Sequence, residues 1–202
     1  ILADGNHRFV NNLRLNRNLL GQVNETSEGQ YPFAIVLSCI DSRTSAELIF
    51  DQGLGDIFSV RIAGNVLNED ILGSMEFACQ VAGSRLIVVL GHTKCGAVKG
   101  ACNHVELGHL TGLLGKIGPA IHEVEKNGGS KLAPEAFVER VAIENTRRQM
   151  QAILERSPLL EHLFNEGKIG IVGANYSVET GEVSFFEEMF ADSGQEPLAA
   201  AG

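Results

Sequence analysis

Three soft-ligand side chains fall in two short clusters: Cys39 within Ser-Cys-Ile-Asp-Ser-Arg (38–43), and His92 with Cys95 within Gly-His-Thr-Lys-Cys-Gly (91–96). Two thiolates and one imidazole suit Zn²⁺, and three protein ligands that leave a fourth position for water form the pattern of a catalytic site. One ion per chain is expected. Such an ion draws the pKa of a water from 15.7 toward about 7, so hydroxide becomes available at neutral pH without a strong protein base. Asp41 and Arg43 stand two residues apart just past Cys39. A carboxylate beside an always-charged guanidinium stays ionised and accepts bidentate hydrogen bonds. A surface ion pair alone, worth about 0–1 kcal/mol, would explain neither the adjacent Cys nor the downstream His-x-x-Cys.

Both clusters need elements that deliver them to one place. Each follows an apolar run, Phe33-Ala-Ile-Val-Leu37 and Leu86-Ile-Val-Val-Leu90. Two buried parallel strands would bring the three ligands together at their carboxyl ends, the edge where open α/β sheets bind ligands. The remaining pattern predicts an α/β fold, a mainly parallel central β-sheet flanked by α-helices, with an N-terminal helical arm and a C-terminal antiparallel edge strand. An opening helix with apolar Leu2, Phe9, Leu13 and Leu20 is expected to run to Gly21. Helices around 44–51 and 69–82 bracket a strand at 57–61, the second stopping near Gly83. A helix should start at Gly96 and reach Cys102, with longer helices at 110–126 and 134–156 separated by Asn127-Gly-Gly-Ser130. Strands near 168–174 and 182–186, joined at Thr180-Gly181, read as a hairpin.

The 202 residues, 44% of them hydrophobic, suit one domain with a full core: an arm over 1–30, a catalytic core over 31–190 and a tail over 191–202. A net charge of −9 argues against nucleic acid as a partner, since phosphate binding needs a basic face. No apolar stretch of about 18 residues is present to span a bilayer. The first residues lack a signal-peptide layout, although a chain that begins at Ile1 says nothing of what preceded it. Cys79 and Cys102 fall in helical, largely apolar settings and read as inert thiols. Reduced ligands fit a cytoplasmic chain better than a secreted one. His7, His104, His109, His122 and His162 have no partner at ligand spacing and read as solvated, with His104 or His109 the only shuttle candidates.

Cys-x-Asp-x-Arg, followed some fifty residues later by His-x-x-Cys-Gly, resembles the β-class carbonic anhydrases. Arg61-Ile-Ala-Gly-Asn65 and Gly73-Ser-Met-Glu-Phe77 extend the likeness. The resemblance implies zinc on Cys39, His92 and Cys95, and reversible hydration of carbon dioxide to bicarbonate and a proton by zinc-bound hydroxide. It also implies a switch, in which Asp41 either closes the site as fourth ligand or pairs with Arg43 and lets water bind. The Gly96 amide, opening a helix, is a donor for the developing bicarbonate oxygen. Gln30 matches a glutamine that binds substrate oxygen in plant-type members, and Phe58, Ala63 and Phe77 match that group's pocket walls, Phe77 in place of a tyrosine. The bland reading of both phenylalanines is core packing. Arg61 and Tyr176 match two of three residues of a bicarbonate-regulated bacterial subgroup, but Val36 stands where its Trp would be, so Arg61 is expected to make structural hydrogen bonds instead. The family further implies a homodimer, with pairing into tetramers left open, the arm wrapping the partner and the pocket partly lined by the neighbouring chain. Two other readings compete: a carbonyl sulfide or carbon disulfide hydrolase on the same scaffold, and a non-catalytic protein whose zinc is structural.

Overall fold

The computed structural model describes residues 1–191; the expected tail lies almost wholly outside them. The two apolar runs become β1 (Ala34–Ser38) and β3 (Leu86–His92), neighbours in one five-stranded sheet. With β2 (Ile57–Arg61), β4 (Gly170–Tyr176) and β5 (Val183–Met189), the strand order is β2-β1-β3-β4-β5. The first four are parallel and β5 returns antiparallel on β4, so the hairpin and the edge strand are as expected. β1 is buried at every position, and so is β3 after its first residue, because helices cover both faces.

From β1 the chain moves outward to β2, then returns to the other side of β1 as β3. Connections leaving in opposite directions open a crevice at the carboxyl ends of β1 and β3. The metal-ligand motifs occupy that crevice, Cys39 directly after β1 and His92 as the last residue of β3.

On one face, Ile35, Leu37, Ile87 and Val89 pack with Met75, Met150, Ile153 and Leu160. The opposite face packs Val36, Val88 and Leu90 against Leu2, Ile49 and Phe50. A third cluster, with Val98, Leu114, Ile117 and Val141, closes over the metal-binding edge. The helix α8 (Pro134–Arg156) matches its expected bounds and crosses behind that edge. Its buried stripe runs through Val141, Asn145, Gln149 and Ile153 at spacing four, so two amides lie where a core helix would carry hydrocarbon.

Three helical expectations need correction. The opening helix is two, α1 (Leu2–Val10) and α2 (Leu19–Glu25), with non-helical chain between them. The break falls at Asn12 in the left-handed region (φ 54°), and beyond it Arg17 and the Leu15 amide bind the buried carboxylate of Asp51, which a continuous helix would carry past. The segment near 44–51 holds only α3 (Ala46–Ile49), ending before Asp51 at φ 46°. The helix expected at 69–82 is present: α4 (Glu69–Glu76) continues as a wider helical turn over Phe77–Val81 and stops before Gly83 at φ 80°. Finally, 110–126 is split into α6 (Gly108–Gly115) and α7 (Gly118–Lys126), Pro119 lying in the first turn of the second, where its missing N–H costs no bond. A helix over Pro158–Asn165, α9, was not anticipated; Ser157 caps it by accepting from the Leu160 amide. The expected α5 (Gly96–Cys102) is present. No helix among the described residues is long and apolar enough to cross a membrane.

Candidate metal centre

Cys39, His92 and Cys95 converge as a buried group whose ligand atoms all lie within 4.8 Å of one another. The two sulfurs are 4.0 Å apart. Tetrahedral zinc with Zn–S bonds of about 2.3 Å sets sulfurs about 3.8 Å apart, so the pair is already near coordinating distance. His92 Nδ1 lies 2.9 Å from the Thr93 carbonyl oxygen, an acceptor, which assigns the ring proton to Nδ1 and leaves the lone pair on Nε2. That Nε2 is buried and has no hydrogen-bond partner, an orphan that a cation among two sulfurs would satisfy. The residues present therefore fit zinc.

The electrostatics ask for the same ion. The Cys39 thiol is held below its ordinary range, first by the Cys95 thiol and, against burial, by His92 and the Asp41 and Gly64 amides. Cys95 moves up, because Cys39 and burial both oppose a second negative charge, although the Val98 and Ala97 amides at the start of α5 pull the other way. Without a cation the two sulfurs thus share one charge. A dication lets both ionise.

Asp41 lies beside the cluster, its carboxylate gripped by Arg43: Nε donates to Oδ1 at 2.9 Å, Nη2 to Oδ2 at 2.8 Å, and the Arg43 amide to Oδ1 at 3.0 Å. The guanidinium holds this carboxyl well below the usual carboxylate range, helped by the amide. The expected pair is therefore formed, and Asp41 is an acceptor at neutral pH. Burial pushes the Tyr176 phenol up, with the charges of Arg43 and Asp41 acting on it in opposite senses.

Two braces that sequence reasoning did not assign to the site hold this loop. Thr44 Oγ1 donates to the carbonyls of Cys39 (3.0 Å) and Asp41 (2.9 Å). Arg61 reaches the same two carbonyls, with Nε 3.0 Å from Cys39 O and Nη2 2.6 Å from Asp41 O. The available signal was register: Arg61 ends β2 opposite Ser38, the last residue of β1. Arg61 therefore makes the structural hydrogen bonds expected of it, and Val36 is fully buried in the core. After β3, Lys94 takes a left-handed conformation (φ 54°), and its amide donates to Glu139 Oε1 at 2.7 Å, turning the chain so that Cys95 faces His92.

The candidate substrate residues divide. Ala63 and Gly96 lie at the carboxyl edge, in the turn after β2 and at the first position of α5. Phe58 and Phe77 instead meet edge to face, 6.2 Å between ring centres, and line a groove at the open β2 edge with Gly73 and Glu69. Phe58 is half-buried and packs against the core, as the bland reading has it, whereas Phe77 is 52% exposed. Gln30 is exposed on the amino side of β1, and its side chain makes no hydrogen bond among the described residues. The five residues of β1 lie between it and Cys39, about 16 Å of rise. Within one chain, Gln30 is not brought to the metal cluster.

A mainly parallel open sheet with a three-ligand soft-metal site at its switch point and an ionised carboxylate beside it defines a metal-dependent α/β enzyme. Comparison with known proteins narrows the class. The family model described as Carbonic anhydrase matches residues 34–183. Carbonic anhydrase 2 of Mycobacterium tuberculosis is 34% identical over 195 residues, covering 89% of this chain and 87% of the relative. The carbonic anhydrase of Mycolicibacterium smegmatis is 35% identical, covering 90% and 88%. Among solved structures, the β-carbonic anhydrase CafA of Aspergillus fumigatus superposes with a TM-score of 0.75 at 26% identity, covering 83% of this chain and 81% of that one. The chain belongs to the carbonic anhydrase family, in its β class.

Proposed function

We propose that this protein catalyses the reversible hydration of carbon dioxide to bicarbonate and a proton, with one zinc per chain on Cys39, His92 and Cys95. The observation that carries the reading is the buried ligand triad with its unpartnered His92 Nε2 beside an ionised Asp41. When bound, zinc supplies a Lewis acid that makes water a nucleophile near neutral pH. Asp41 accepts the nucleophile's remaining proton as a hydrogen bond, fixing the direction of attack, and Arg43 keeps that carboxylate charged and in place. The Gly96 amide donates to the oxygen that gains charge as carbon dioxide bends. Ala63 walls the approach without offering a hydrogen bond, as suits an apolar gas.

Gln30, Phe58 and Phe77 serve the site of a neighbouring copy in a homodimer. Support comes from the unpaired edge of β2, from half-exposed Phe77, and from Leu13, Leu19, Leu20 and Tyr31, which are 64%, 56%, 72% and 88% exposed. The four free cysteines support a reducing, cytoplasmic setting. Stopped-flow hydration assays run in parallel with carbonyl sulfide and carbon disulfide hydrolysis test the reaction. Carbon dioxide should be turned over far faster than either. Faster hydrolysis of a sulfur compound would transfer the assignment to that substrate, and no turnover of any of the three would leave zinc a structural role.

A further inference from the structure

α8 buries two amides, Asn145 at 0% and Gln149 at 8% exposure, in the stripe that faces the metal-binding edge. They form one unbroken hydrogen-bonded chain. The Leu67 amide donates to Gln149 Oε1 at 2.9 Å, Gln149 Nε2 to Asn145 Oδ1 at 3.1 Å, and Asn145 Nδ2 to the Gly64 carbonyl at 2.8 Å. Gly64 in turn donates its own N–H to the sulfur of Cys39 at 3.4 Å. Lys116 Nζ holds the far end through the Leu67 carbonyl, at 3.2 Å.

The turn so held has an uncommon backbone. Gly64 (φ 69°) and Asn65 (φ 44°) are consecutive left-handed residues, and Asn65 lacks glycine's freedom to adopt that region. A Cβ on Gly64 would lie 2.9 Å from Ile117 Cδ1, a side-chain end that can shift, so it is the positive φ that favours glycine there. Buried amides in a core helix carry a desolvation cost that pairing offsets, and each side-chain polar atom of Asn145 and Gln149 has a partner, whereas the buried Asn65 Nδ2 in the same turn has none.

We propose that Asn145 and Gln149 are positioning residues for the metal centre: through the Gly64 turn they aim an N–H at Cys39 Sγ, fixing the sulfur's direction and drawing off part of its charge. The proposal rests on the zinc reading of Cys39, His92 and Cys95. Neither amide touches that triad, so each acts only through Gly64.

The test compares wild type, Asn145→Leu and Gln149→Met in full-length protein, measuring the thiolate-to-cobalt charge-transfer band after cobalt substitution and the zinc dissociation constant by chelator competition. Losing an N–H from a ligating sulfur should move the band to lower energy. Zinc binding in Asn145→Leu should weaken about tenfold or more, the usual scale for supports of a metal ligand, with Gln149→Met shifting both readouts less and in the same direction. A purely structural role would lower the melting temperature and leave band and dissociation constant unchanged in the folded variants, which would overturn the proposal. Should Asn145→Leu fail to fold, unchanged values in Gln149→Met would overturn it equally. Absence of the band in wild type would remove the metal reading, and this proposal with it; a wild-type band that both variants retain unshifted removes this proposal alone.

Discussion

Arg43→Ala separates holding Asp41 from holding the fold. The substitution deletes two charge-assisted bonds, at 2.9 and 2.8 Å, and keeps the third, because residue 43 still offers its backbone N–H to Oδ1. Bonds between ionised partners are strongest where water is excluded, but the Arg43 side chain is 49% exposed, so solvent screening weakens the pair. That fork is what keeps Asp41 turned toward Arg43, and its loss frees the carboxylate to leave this orientation. Stopped-flow carbon dioxide hydration should show kcat/KM falling several-fold at neutral pH. Zinc content should remain near one per chain and the melting temperature should move little, since Arg43 packs against nothing in the core. Arg43→Lys keeps the charge without the planar fork and should fall between the two. Hydration by Arg43→Ala within twofold of wild type would refute the reasoning, and so would a loss of activity that simply follows a loss of zinc.

Asp51, 3% exposed, receives Arg8 Nε and Arg17 Nη1 at 2.5 Å and the Leu15 amide at 3.2 Å. Asp51→Asn should destabilise by about 2–3 kcal/mol at pH 7, below the full cost of breaking a buried pair because both arginines stay partly solvated. Burial raises the Asp51 pKa, but the two arginines and the amide outweigh it, leaving the pKa below its ordinary 3.8. The stabilisation is therefore present above 3.8 and lost as pH falls through the lower folded value, so the gap between the two melting curves should close in acid; a gap independent of pH would contradict this. Burial pushes Cys79 up to about 12 and Cys102 up to about 11, so zinc-loaded protein should resist iodoacetamide at pH 8 and become reactive at Cys39 once a chelator is added; rapid labelling of Cys102 in loaded protein would count against the burial argument. With Arg61 committed to two carbonyls and Val36 in the core, activity should decline through a single ionisation toward acid pH without cooperative inhibition by bicarbonate. Steep cooperativity, relieved in Arg61→Ala, would show a regulatory anion site after all.

The sequence made the centre legible because each ligand motif directly follows a strand of uninterrupted hydrocarbon, and adjacent parallel strands must place their carboxyl ends together. The bounds of α8 were legible for a related reason: Ala133-Pro134 opens it and Ser157-Pro158 closes it. Long-range polar pairing stayed hidden. Apolar spacing continues through Leu13 and Leu20, so nothing local announces that Asp51 binds Arg17 and the Leu15 amide and keeps the arm from continuing as one helix. Asn145 and Gln149 look like ordinary polar positions of a helix until Gly64 and Leu67, 81 and 82 residues away, are seen beside them. Phe58 and Phe77 are recognisable as a pair only through the wide turn that ends α4, and Gln30 has no place in the site of its own chain.

The most direct test of the account is hydration activity measured against added zinc, starting from metal-free protein. Carbon dioxide hydration should rise linearly and level off at one equivalent per chain, and Cys39→Ser should stay near the uncatalysed rate over the same range. A protein that binds one zinc through Cys39, His92 and Cys95 yet hydrates carbon dioxide no faster than buffer would contradict the account at its centre.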